Sequence, residues 1–152
     1  LGGLDQLQNQ LPAPILFFHN ARTTVVFLLM GLVSFGTLGL TLFMVNFALI
    51  GGVLGAANLV GISPLLIFVA GVLPHGLFEL TAVILATAAM LKVGALLVSP
   101  NTDKSIGETL LISLADWFRV FVGLVVPLLA VAAVIEIYLT PMLIKKIFEP
   151  FL

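Results

Sequence analysis

Cysteine is missing from all 152 residues. No disulfide framework, thiolate nucleophile or cysteine metal site can exist, and the redox compartment is left open. Charge is almost as scarce, at 9% of residues. A soluble domain carries roughly a quarter. It needs them because much of its surface meets water, and this chain lacks the groups to provide such a surface. The net charge of −1 offers no electrostatic footprint for nucleic acid, which is not expected as a partner. Catalytic motifs are missing too: there is no HExxH, GxSxG or Walker sequence. The only histidines are His19 and His75, and the serines 34, 63, 99, 105 and 113 stand in no nucleophile context. The chain is therefore not expected to be an enzyme, and no cofactor is implied.

What remains is 61% hydrophobic, with a mean hydropathy of +1.29. Between Arg22 and Glu79 there is no Asp, Glu, Lys or Arg. One membrane helix needs about 20 apolar residues, so this stretch alone holds at least two crossings. The composition predicts an all-α, polytopic transmembrane helical bundle, multi-pass in the cell membrane, with the lipid bilayer as its main partner. Residues 1–152 read as one membrane domain.

Along the chain, residues 1–18 read as an interfacial amphipathic lead-in. Leu4, Leu7 and Leu11 fall at helical spacing among Gln6, Gln8, Asn9 and Gln10, and Pro12 and Pro14 follow. No basic n-region precedes them, so no signal peptide is expected. Membrane helices fill 19–98. A first span is expected from about Thr23 to Ile50, and a shorter apolar stretch from Ser63-Pro64 to Leu73. That stretch is either a half-helix or the second half of a span kinked at Pro64. Pro74-His75-Gly76 predicts a broken helix, since proline removes a backbone donor. Leu77 to Val98 is the next span. A polar loop covers 99–108, an amphipathic segment 109–119, the last membrane helix 120–141 with a kink at Pro127, and a tail 142–152. Small residues at Gly31, Gly36, Gly51, Gly55, Ala82 and Ala86 let another backbone approach. They point to a homo-oligomer or to other membrane proteins as partners. Basic residues split evenly over the two sides, so the positive-inside rule assigns no orientation.

Four polar residues stand in apolar surroundings: Asn46, His75, Glu79 and Glu136. A carboxylate at the bilayer centre costs at least about 2.5–3.5 kcal/mol, so such groups face protein or water. His75 and Glu79, four apart, share a helix face beside Gly76. They form either a cap at an interface or the start of a proton or solute relay. No metal is assigned, because spacing gives only two donors and no third. Glu136 stands either near an interface or facing the bundle, where it would meet His75, Asn46 or Lys92. Asn46 reads as glue between helices. Asp116 and Arg119 are spaced to form an interfacial ion pair.

These landmarks resemble a known family. Phe17-Phe18-His19-Asn20 before a Gly-rich span, Asn46-Phe47 with Gly51 or Gly52 after it, Pro74-His75-Gly76-Leu77-Phe78-Glu79, and Val126-Pro127 with Ile135-Glu136-Ile137-Tyr138-Leu139-Thr140-Pro141 are similar to the stage II sporulation protein M family. Asn46-Phe47 stands where that family usually has Asn-Gly. The resemblance implies a membrane scaffold that holds peptidoglycan-degrading partners, without catalysis of its own. The alternative is a small transporter or channel-like permease using His75, Glu79 and Glu136. Convergence of these three around water would favour transport; separation to opposite interfaces would favour the scaffold.

Overall fold

The computed structural model describes residues 12–98 and 105–148. They form four helices long and apolar enough to cross a membrane: α1 (Ala13–Val33), α2 (Thr37–Leu59), α3 (Pro64–Val98) and α4 (Ile106–Ile147). Among the described residues there is no strand. The protein is a multi-pass membrane protein built as an all-α bundle.

The helix ends follow from local chemistry. Pro14 sits in the first turn of α1 and Pro64 opens α3, where proline's missing N–H costs nothing. α1 and α2 both end in Schellman turns. In the first, Phe35 takes φ 52° and the Gly36 N–H donates to the Gly31 carbonyl at 2.6 Å. In the second, Gly61 takes φ 77° and the Ile62 N–H donates to the Ala57 carbonyl at 2.9 Å. α4 starts at a capping box. The Ser105 hydroxyl accepts from the Glu108 N–H, and the Glu108 carboxylate accepts from the Ser105 N–H.

Several expected boundaries are corrected. The single span from Thr23 to Ile50 is two helices, turned at Ser34-Phe35-Gly36. Residues 13–18 belong to α1 rather than to a separate lead-in, and residues 1–11 lie outside the described residues. Pro64 starts a new helix rather than kinking an old one. Segments 109–119 and 120–141 are one continuous helix that begins at Ile106 and runs past Pro141. Most of the polar loop, residues 99–104, and the end of the tail, 149–152, are outside the described residues.

The expected break at Pro74–Gly76 is not a break. α3 continues through it, with a π-turn over Phe68–Val72 in which the Leu73 N–H reaches back to the Phe68 carbonyl. The pattern recurs twice in α4. Val126 donates to Phe121 just before Pro127, and Thr140 donates to Ile135 just before Pro141. A proline cannot donate to the carbonyl four residues back, and its ring presses on that carbonyl. Widening the preceding turn by one residue relieves the clash and keeps the helix intact. In lipid this outcome is strongly favoured, because backbone groups freed by a true break would find no water.

α3 is the centre of the bundle. Ala82 and Ala86 pack on Val125 and Leu129 of α4, with Phe17 and Ala21 of α1 against them. Further along, Leu28 of α1, Met90 and Val93 of α3 and Trp117 of α4 form a second cluster. The Trp117 indole N–H donates to the Ala86 carbonyl at 3.3 Å, and its ring stacks on Phe121. α2 is peripheral: only 6% of its spanning window is buried, against 39% for α3.

Candidate functional site

α3 and α4 run antiparallel. Lys92 meets Asp116 at 3.6 Å near one end, and His75 meets Thr140 at the other. This register decides which polar side chains converge. His75 and Glu79 project from one face of α3, as their spacing predicts. The π-turn over Ile135–Leu139 carries Glu136 to the same place. One donor atom from each of His75, Glu79 and Glu136 lies within 4.8 Å of the others. All three side chains are half-buried. The bundle-facing alternative for Glu136 is the one realised, and the third donor that spacing along α3 does not supply comes from α4.

The cluster lies well inside both helices rather than at their ends. At about 1.5 Å per residue, His75 is roughly 16 Å from the start of α3 at Pro64. Glu136 is roughly 14 Å from Lys145 on the same scale. Among the described residues, no hydrogen bond or salt bridge joins Glu79 or Glu136 to a Lys or Arg; the ion pairs there link Asp116 to Lys92 and Arg119.

Thr140 completes the surroundings. It is buried, and its Oγ1 stands 3.4 Å from Nδ1 of His75. Glu136 and Thr140 repeat the four-residue spacing of His75 and Glu79. Gly76 is buried on α3, where a Cβ would sit 3.4 Å from Val72. Asn46 is not glue between these helices. Its amide donates to the Leu42 and Phe43 carbonyls of its own helix, at 3.3 and 3.4 Å.

The small residues separate into two groups. Gly31, Gly36, Ala82 and Ala86 are buried in contacts within the chain, and Met90 fills the space over Gly31. Gly39, in the same small-residue stripe as Gly31 and Gly36, and Gly94 are packed as closely. Gly51 and Gly55 have nothing within 4 Å of where a Cβ would be, and Gly52 is equally open. The expected Asp116–Arg119 pair forms at 2.9 Å, with Lys92 as a further partner of Asp116.

Comparison with known proteins gives one match. Neither the curated proteins nor the solved structures contain one, but the family model described as stage II sporulation protein M matches residues 5–141. That match covers all of α1, α2 and α3 and most of α4, including His75, Glu79 and Glu136. The chain belongs to the stage II sporulation protein M family.

Proposed function

We propose that this chain is a non-catalytic assembly subunit of the cell membrane, which scaffolds membrane partners or further copies of itself through α2. The open glycine face of that helix carries the reading. Ala48, Gly51, Gly52 and Gly55 fall within about 100° of the helix circumference by the 3.6-residue period, and all four are exposed. Glycine inside a helix costs roughly 0.5–1 kcal/mol relative to alanine. In lipid that cost has no return unless a second backbone packs against the glycines. Among the described residues none does. Family membership supports the same role by analogy.

The absence of cysteine makes a direct test simple. Single cysteines placed at Ala48 or Gly55 in the otherwise cysteine-free chain report proximity by oxidative cross-linking in native membranes. Cross-links at these positions, missing from a control at Leu38 at the opposite end of α2, are the expected result. A bulky Gly55→Leu change abolishes the association without lowering thermal stability in detergent. Capture that is indifferent to Gly55→Leu, with no cross-linking, overturns the assignment.

A second reading, cation permeation, is favoured by one observation, the convergence of His75, Glu79 and Glu136 between two membrane-spanning helices. Proteoliposomes separate the two. Cation flux that disappears in Glu79→Gln, while cross-linking through α2 is also absent, replaces the assembly role with the permease.

A further inference from the structure

The His75–Glu79–Glu136 cluster has no part in assembly through α2. Two carboxylates lie side by side between two membrane-spanning helices, and among the described residues no Lys or Arg pairs with either. Uncompensated charges between packed membrane helices are costly, and two of one sign repel each other more strongly in low dielectric than in water. A single dication between them would make the site neutral. The donor set narrows the choice. Imidazole nitrogen with carboxylate oxygen suits first-row divalent metals, whereas Mg²⁺ and Ca²⁺ prefer oxygen alone.

The geometry points to a divalent transition-metal site, of the Zn²⁺, Co²⁺, Fe²⁺ and Mn²⁺ class, held by His75 and Glu79 of α3 and Glu136 of α4. Bonds to nitrogen and oxygen in such sites are about 2.0–2.2 Å, so donors within 4.8 Å of one another close on an ion with small side-chain rotations. Thr140 plays the part that an outer partner plays for metal-bound histidine. With Nδ1–H donating to Thr140 Oγ1, Nε2 carries the lone pair that a metal takes. Three protein donors leave coordination positions open. The π-turn before Pro141 is part of the design, since it sets the rotation at which Glu136 faces α3. The metal ties α3 to α4 at the end of the hairpin opposite the Lys92–Asp116 pair.

The test uses full-length, tag-free protein in detergent, stripped with chelator and titrated with Co²⁺ and Zn²⁺. One Co²⁺ per chain, with visible d–d absorption displaced by Zn²⁺, is expected. Glu136→Gln keeps the side-chain shape and lowers affinity by ten-fold or more, as does His75→Ala. Asp116→Asn, in the distant ion pair, leaves binding unchanged. Elution volume and helical circular dichroism show that each variant is folded; should His75→Ala misfold, the isosteric Glu136→Gln decides alone. No Co²⁺ uptake by the wild type, uptake unchanged in Glu136→Gln, or equal competition by Mg²⁺ overturns the site. Cross-linking through α2 is read separately, so failure of the metal site and failure of the assembly role are distinguishable.

Discussion

Glycine serves two opposite purposes in this molecule, and the contrast separates the finished part of the bundle from the unfinished part. At the α1–α2–α3 contact a Cβ on Gly31 would fall 2.1 Å from Met90 Sδ, and one on Gly94 would fall 2.9 Å from the Phe35 carbonyl oxygen. There the missing side chains let helices approach within one polypeptide. On α2, Gly51, Gly52 and Gly55 meet nothing within 4 Å among the described residues. The residue type is the same, and so is its cost to the helix; only the first region recovers that cost in contacts of its own. Substitutions should therefore act with opposite sign in the two regions.

The largest effect is expected at Gly94. Its neighbours are backbone atoms of the α1–α2 turn, which cannot rotate away as a side-chain tip can. Gly94→Val overpacks the contact and costs about 1–3 kcal/mol, toward the upper end. Equilibrium unfolding in mixed micelles measures it, and a neutral result would mean that the closed region is looser than its distances imply. Next comes Gly36, at φ 98°. An L-residue there costs about 1–2 kcal/mol. Only the movable tip of Leu91 Cδ2 opposes the new methyl group at 2.9 Å, so backbone strain dominates. Gly36→Ala is expected to lower the unfolding midpoint less than Gly94→Val does.

The open region should respond in the other direction. Gly51→Ala and Gly52→Ala add helix propensity without a clash and stabilise the isolated chain by about 0.5–1 kcal/mol each. The same changes weaken association through α2. Unfolding and cross-linking, followed on one set of variants, give that divergence directly. If both measurements rise together, the glycines of α2 are not an interface.

The residues that define these regions were unequally visible in the sequence. The charge-free stretch from Arg22 to Glu79 states the membrane class almost alone, because hydrocarbon is the one solvent in which it is stable. The hairpin at Ser34-Phe35-Gly36 was hidden by the same property. With no charge or polar loop to mark it, two helices read as one, and Phe35 in a left-handed conformation is a choice that propensity disfavours. Prolines 74, 127 and 141 were visible as disturbances of the helix. Their consequence, a widened turn rather than a break, follows from the lipid environment and not from the local residues. His75 and Glu79 were legible as a pair from their spacing. Their meeting with Glu136 was not, because it depends on the antiparallel register of α3 and α4, and each π-turn shifts that register by one residue. Thr140 was within reach of the same spacing argument that paired His75 with Glu79.

The smallest expected effect concerns charge at the closed end of the bundle. Asp116 accepts from Arg119 at 2.9 Å and lies 3.6 Å from Lys92, next to the Met90 and Trp117 cluster. A link between α3 and α4 at that point invites the view that ion pairing helps close the bundle. The side chains argue against it. Lys92 is 65% exposed, Arg119 78% and Asp116 41%. Exposed pairs of this kind contribute about 0.2–1 kcal/mol, and solvent screening puts this one in the lower half of that range. Asp116→Asn keeps the shape and removes the charge. It should lower stability by no more than about 0.5 kcal/mol, with the difference shrinking further in high salt. A loss comparable to that of Gly94→Val would show that charge, rather than the close approach of glycine backbones, separates the closed region from the open one.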